Sequence, residues 1–416
     1  MIMPSKKNYQ RCLIVLLLAT SWQMASGQRL TLEEAVQTAL KNNPGIQSAA
    51  IQVEYFKEQK KTGSDIGKLS AIWMHGQYNS LYKDNNLTLL QTIPFPTTLG
   101  SQLKFGQEQV AGAQQNLVVQ QNNLVFEVKT AYQEMLYQEA LRKLLQTQDS
   151  LYVDFANATA LRYKTGESNL LEKTTAETQR SEIQNLQQQN LADIQISGSR
   201  LQALLKSETA ISAAEVLQKR TLPEVVDSAQ LQNNPSLRLF DQEVVISRQW
   251  KRVERNRILP DLTVGGFVQS LTGFQKTSNM DVFYPRSKQF TGFELGLAVP
   301  LWIKPNLARA KAASFQEEVA KKSAENFKTL LTGSYAQALR EWKKNAASLN
   351  YYETTALQNA ALILRQARQA FRAGEIGYIE YLQALRTSVS IKGSYLQALN
   401  QYNHSIIKLE FLLGKF

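Results

Sequence analysis

A short turn that occurs twice limits what this chain can fold into. The first copy is Tyr163-Lys164-Thr165-Gly166-Glu167 followed by Leu170-Leu171-Glu172; the second is Phe371-Arg372-Ala373-Gly374-Glu375 followed by Tyr378-Ile379-Glu380. Gly takes the left-handed conformation that stops a helix, and a cation in the preceding turn suits the negative end of the helix dipole. The pattern therefore predicts two tight helix-to-helix reversals. Aligned Gly to Gly, the copies lie 208 residues apart, half of the 416, and the same offset sets Leu204-Leu205 on Leu412-Leu413. The chain is an internal duplication, one architecture built twice.

The rest of each half follows the same plan. Thr31 reads as a helix N-cap with Glu33-Glu34 in the first turn, and Leu32, Ala35, Val36, Ala39 and Leu40 form an apolar face. Asn42-Asn43-Pro44 breaks that helix and a second follows to about Lys61; the device returns as a helix from Leu222-Pro223-Glu224, then Asn233-Asn234-Pro235. Residues 71–79 and 87–95 read as strands joined by polar Lys83-Asp84-Asn85-Asn86, matched by strands at 262–270 and 290–301. In the last strand Phe293, Leu295, Leu297 and Val299 alternate with Gly292, Glu294, Gly296 and Ala298. Such a strand lies between lipid and a wet lumen or half-buried in a soluble sheet, and export with a length of ~10 residues favours the barrel. Residues 271–289, with Lys276, Arg286 and Lys288, read as a longer loop inserted in the second hairpin. From about Ser101 to Tyr163, Leu117, Leu124 and Ala131, with Val128 and Met135, recur as a coiled-coil seam. Some 60 residues at ~1.5 Å each predict a rod of about 90 Å, repeated from about Asn306 to Phe371 and followed in each half by a shorter return helix. Two strands per half are too few to close a transmembrane barrel in one chain, so several chains must share it.

Residues 1–27 read as a secretory signal: Lys6, Lys7 and Arg11, an apolar core over 13–19, and Ala25-Ser26-Gly27 for cleavage. Cys12 lies ahead of that core, which excludes it as a lipoprotein's acylated first residue, and the mature chain has no Cys. No later apolar run is long enough for a transmembrane helix. The net charge of +12 includes a cluster at Arg248, Lys251, Arg252, Arg255 and Arg257 that reads as a solvated helix face; no nucleic-acid partner is expected.

Enzymatic signatures are missing. The two His residues, His75 and His404, are isolated, and there is no HExxH, Walker loop, nucleophile elbow or CxxC. The chain is not expected to be an enzyme or to carry a cofactor or metal.

Taken in order, Leu32-Glu33-Glu34-Ala35-Val36, the Asn-Asn-Pro breaks, Leu259-Pro260-Asp261-Leu262 entering a strand, Val299-Pro300-Leu301 leaving one, and the two turns resemble the TolC family of outer-membrane efflux and secretion channels across nearly the whole mature chain. The resemblance implies a mainly α fold with a small β part: a homotrimer whose chains make one 12-stranded outer-membrane β-barrel, continued by a periplasmic α-helical barrel. The expected parts are the signal at 1–27, a first repeat over 28–215 with a helical hairpin at about 101–206, and a second over 216–416 with a hairpin at about 306–413. The implied function is a passive exit duct for a tripartite efflux or type I secretion system, with a periplasmic adaptor, an inner-membrane pump and outer-membrane lipid as partners. The turn residues Tyr163, Lys164, Gly166, Glu167, Phe371, Arg372, Gly374 and Glu375 are the implied adaptor-docking points. Family members close the periplasmic end with acidic residues after the second turn; Glu380 matches such a position, Glu172 is its counterpart, and the further acidic position is Gln383 here. Glu380 is equally what an ordinary solvated helix position carries. The alternative function is a periplasmic coiled-coil adaptor or scaffold, which also has long helical hairpins.

Overall fold

The computed structural model describes residues 28–79, 81–221, 228–277 and 280–415. The expected leader with Cys12, and the expected helix start at Leu222-Pro223-Glu224, lie outside them. In chain order the elements are β1 (Gln28–Leu30), α1 (Leu32–Asn42), α2 (Pro44–Lys61), β2 (Ser70–Gly76), β3 (Asp84–Ile93), α3 (Pro96–Lys164), α4 (Leu170–Leu205) and β4 (Ile211–Ala213). A 3-10 turn (Ser228–Asn233) leads to α5 (Pro235–Asn256), β5 (Asp261–Ser270), β6 (Gly273–Thr277), β7 (Met280–Tyr284) and β8 (Gln289–Ala298). Then come α6 (Ile303–Tyr351), a π-helical turn (Tyr352–Ala356), α7 (Leu357–Ala373) and α8 (Tyr378–Leu412). Residues up to 47, 120–234 and from 331 form one compact unit; 48–119 and 235–330 form the other. Each unit takes segments from both repeats.

In the first unit the expected seam is the core. Val128, Ala131, Tyr132 and Met135 of α3 are fully buried, with Leu201 and Leu205 of α4 and Leu385, Ile406 and Leu409 of α8. Each such Leu or Ile contributes roughly 2 kcal/mol by burial. The Asn-Asn-Pro break has a second task beyond stopping a helix: Asn43 Nδ2 donates to the Leu204 carbonyl at 3.2 Å and Asn234 Nδ2 to the Leu412 carbonyl at 3.0 Å. In each repeat, therefore, the amide before the Pro satisfies an orphan carbonyl at the end of the return helix. The short parallel pair β1–β4, joined from Gln28↔Ile211 to Leu30↔Ala213, has no sequence periodicity to announce it. A buried polar network crosses α3, α8 and the 214–221 segment: Gln133 donates to Asn400, and fully buried Asn403 donates to the Gln218 carbonyl while accepting from the Arg220 N–H.

In the second unit, α5 packs on α3 and α6. Gln242 donates to the Glu108 carboxylate at 2.9 Å, Phe240 and Phe327 stack 4.6 Å apart, and buried Glu317 takes Lys251 at 2.9 Å and Lys321 at 2.8 Å. Those two lysines hold the Glu317 carboxyl down at about 2, Lys321 contributing most. The cluster read as a solvated face is thus partly an ion-pair network around one buried carboxylate.

The sheet of this unit has four antiparallel strands in the order β2-β3-β5-β8. The register puts Trp73, Leu87, Leu89, Ile93, Leu262, Val264, Val268, Phe293, Leu295 and Leu297 on one face. Trp73, Phe293 and Leu295 are about 70–80% exposed (69%, 81% and 73%). The other face is mixed, with Asn86, Thr88, Thr92, Thr263, Gln269, Gly292, Glu294 and Gly296 among Ile72, Met74, Leu90, Phe267 and Phe290. Among the described residues β2 and β8 pair on one side only, leaving two open edges.

Two sequence expectations need correction here. Asp84, Asn85 and Asn86 are not a linker but the start of β3, because their polar groups find partners on β5: Asp84 Oδ1 accepts from Ser270 Oγ and the Thr272 N–H, and Ser270 Oγ accepts the Asn85 N–H. The expected loop 271–289 contains its own hairpin, β6–β7, in which Phe274 faces Phe283. Tyr82 and Phe274 both pack edge-on against Phe283, and such aromatic cross-strand pairs stabilise a short ladder.

Candidate functional site: two equivalent helix turns and an exposed apolar sheet face

Both turns close in the same way. Gly166 and Gly374 have φ of +79° and +74°, the left-handed region that glycine occupies without strain. The Glu167 N–H bonds the Arg162 carbonyl at 2.8 Å and the Gly166 N–H that of Tyr163 at 3.2 Å. With 208 added to every number the same bonds recur, from Glu375 to Ala370 at 2.9 Å and from Gly374 to Phe371 at 3.3 Å. This is the Schellman arrangement, which satisfies the last carbonyls of α3 and α7.

The structure brings the two turns together in the first unit. Phe371, at the end of α7, stacks on Tyr381 of α8 with ring centroids 4.6 Å apart, and Phe155 of α3 lies against both at 6.2 and 5.5 Å. Arg162, beside the first turn, sits over the Phe371 ring at 5.7 Å. Arg368 of α7 reaches Asp154 of α3 at 3.3 Å. Burial pushes the Tyr152 and Tyr381 hydroxyls above their ordinary range. Sequence reading missed Phe155, Tyr381 and the Asp154–Arg368 pair, whose only signal was Tyr381 following Glu380.

Other predicted residues stay at the surface. Tyr163, Lys164, Glu167, Arg372 and Glu375 are exposed, as are the apolar equivalents Leu171 and Ile379, at 67% and 66%. Lys173 covers the Tyr163 ring at 5.5 Å.

The acidic candidates have different surroundings. Glu380 is exposed, and its Oε2 accepts the Gly377 N–H at 2.6 Å. Glu172 is half-buried: its N–H is taken by the Asn169 side chain at 2.9 Å, and its Oε2 has no hydrogen-bond partner among the described residues. Gln383 is exposed one turn along α8. His404 faces Glu134 at 3.8 Å, a contact that holds the Glu134 carboxyl below its ordinary value. Among the described residues no cluster of His, Cys, Asp and Glu could hold a metal, and no helix is long and apolar enough to cross a membrane.

Known proteins share this architecture. A family model for outer membrane efflux proteins matches residues 226–415. The cobalt-zinc-cadmium resistance protein CzcC of Cupriavidus metallidurans is 23% identical over 399 residues, covering 93% of this chain and 90% of that protein. Among solved structures, CusC superposes with a TM-score of 0.78 at 16% identity over 95% of this chain and 96% of that one. The Campylobacter jejuni CmeC outer membrane channel gives 0.74 at 15% identity over 95% of this chain and 90% of that one. The efflux-protein model on the second half, a relative along nearly the full length and the solved structures thus agree on this duplicated fold.

Proposed function

We propose that this protein is the outer-membrane exit duct of a tripartite efflux system, passive itself and driven by an inner-membrane pump through a periplasmic adaptor. The observation that carries the reading is the four-stranded sheet with one exposed apolar face and two open edges. An exposed apolar face is costly in water and favourable in lipid. Open edges inside a membrane leave backbone groups unpaired, so the sheet must close. The outer strands β2 and β8 run in opposite directions, so β8 of one copy continues antiparallel onto β2 of the next. Three copies then give 12 strands, within the range of bacterial barrels.

The paired turns, with Tyr163, Leu171 and Ile379 exposed beside them, supply the surface an adaptor would grip. Glu380 and Glu172 are the gate residues on this reading. A duct, not an adaptor, is supported by two equivalent helical hairpins in one chain and by the efflux-protein family match.

A divalent heavy-metal cation is the substrate class to test first, because the relative named for cobalt, zinc and cadmium resistance spans 93% of this chain. Deleting the gene should lower tolerance to these metals, and the native gene should restore it while the protein fractionates with the outer membrane. Unchanged tolerance would remove metals as the substrate; recovery in the soluble periplasmic fraction would remove the duct itself.

A further inference from the structure

The apolar sheet face ends in a polar row that the export function does not use. At the loop end of the sheet, away from the starts of α3 and α6, the Trp73↔Leu87 pair is followed on the same face by His75↔Asn85. The Trp73 ring stacks on His75, centroids 5.9 Å apart and planes 17° from parallel. Arg286, between β7 and β8, lays one terminal nitrogen across this row. Its Nη2 lies 3.1 Å from Asn85 Oδ1 and 3.2 Å from His75 Nδ1, and that imidazole nitrogen is also 2.7 Å from Asn85 Oδ1. Among the described residues Arg286 Nε and Nη1 have no partner and no carboxylate lies within ion-pair distance of the guanidinium. Lys288 and Lys83, two residues from Arg286 and Asn85, are exposed and likewise without an ion-pair partner among the described residues. The nearby carboxylate of Asp84 is buried and turned to Ser270 and the Thr272 N–H.

We propose that Arg286, held by Asn85 beside His75 and beyond Trp73 at the rim of the apolar face, binds the phosphate of an outer-leaflet glycolipid. The inference rests on the reading above, that this face meets lipid. Three features define the occupant. The guanidinium stands where an apolar band with an interfacial Trp gives way to polar side chains, the depth of a lipid headgroup. Its Nε–H and Nη1–H groups can each donate a charge-assisted hydrogen bond to a phosphate oxygen, and Lys288 and Lys83 lie two residues along the chain from Arg286 and Asn85. The group it recognises is attached to acyl chains, because His75 and Asn85 share a face with Leu87, Leu89 and Phe293, where a lipid's tails would lie. A lumenal anion would instead meet the opposite face, at Asn86 and Gln269.

The test is retention of defined lipids by the full-length protein, purified in mild detergent and read by native mass spectrometry. The probes are bis-phosphoryl lipid A, its fully dephosphorylated form, and inorganic phosphate as competitor. Native protein should retain the bis-phosphoryl lipid at least about tenfold better than the dephosphorylated one, and Arg286→Gln should weaken retention about tenfold, the loss expected for one charge-assisted hydrogen bond. Inorganic phosphate at millimolar concentration should not displace the lipid, since it lacks the acyl contacts; displacement would make the site one for free phosphate and overturn the proposal. Equal retention of the two lipids, or an Arg286→Gln protein that binds like the native one, would also overturn it. Should Arg286→Gln fail to assemble, phosphate dependence in the native protein decides alone. Recovery in the outer membrane is scored separately, so failure of lipid retention in a correctly assembled channel refutes the site and leaves the duct standing.

Discussion

The Glu380 carboxylate accepts the Gly377 N–H at 2.6 Å, completing from the side chain what Asn169 completes from the other direction in the first repeat, where its Oδ1 accepts the Glu172 N–H at 2.9 Å. Gly377 has no side chain to cap α8, so Glu380 at the third helical position does so. The same carboxylate has no ion-pair partner among the described residues, so cap and gate are separable by substitution. Glu380→Gln keeps an acceptor for Gly377 and removes the charge. In a planar bilayer it should lower cation over anion selectivity and weaken block by multivalent cations without lowering the thermal midpoint. Glu380→Ala should do both, costing about 1 kcal/mol through the lost cap. Identical selectivity and block in native and Glu380→Gln channels would leave Glu380 as a capping residue only.

The turn glycines predict a defect confined to docking. Gly166 and Gly374 hold φ of +79° and +74°, and a β-branched residue there costs about 1–2 kcal/mol per site. No atom stands within 4 Å of where a Cβ would go, so the penalty is backbone strain rather than a clash. The double Gly166→Val, Gly374→Val protein should reach the outer membrane in native amounts and export poorly. Native export rates in that strain would argue against adaptor contact at these turns.

The helix entering the first turn meets the second turn through Phe155, which lies against both Phe371 and Tyr381, whose own rings lie 11° from parallel. Tyr381→Ala removes a side chain only 6% exposed and should cost roughly 3 kcal/mol. With the first turn no longer held to the second, resting conductance should rise in single-channel records. A lowered thermal midpoint with unchanged conductance would restrict Tyr381 to a packing role.

How far the sequence could be read follows from which signals are local. Gly166 and Gly374 were legible because a left-handed residue at a helix end has few chemical solutions, and β8 because Phe293, Leu295 and Leu297 alternate with small or polar residues. The Asn before each Pro marked a break, but its bond to the Leu204 or Leu412 carbonyl joins residues 161 and 178 apart and left no local trace. β1 and β4 are three residues each, too short for periodicity. The π-helical turn at Tyr352–Ala356 interrupts the second long helix without Gly or Pro. Glu172 and Glu380 matched as a pair in sequence, yet one is half-buried and the other exposed, because Asn169 caps α4 with its own side chain and Gly377 does not.

Glu317 makes stability depend on pH in a defined window. Its folded value of about 2 lies below the ordinary carboxylate value, so the unfolded chain binds the extra proton. The contribution is complete above about pH 5 and lost as pH falls from there towards 2. Glu317→Gln should destabilise the protein by about 2–3 kcal/mol at pH 7 and by almost nothing near pH 2, measured by thermal unfolding. A difference independent of pH would assign the loss to packing and not to the pairs with Lys251 and Lys321.

The central claim is that one chain supplies a third of a barrel. Its most direct test is the mass of the protein extracted from outer membranes in mild detergent, measured with conductance on the same sample. A four-stranded sheet with open edges at β2 and β8 predicts a particle of about 140 kDa, three copies of the 47.0 kDa chain, that forms pores. A monodisperse monomer that conducts ions would contradict it.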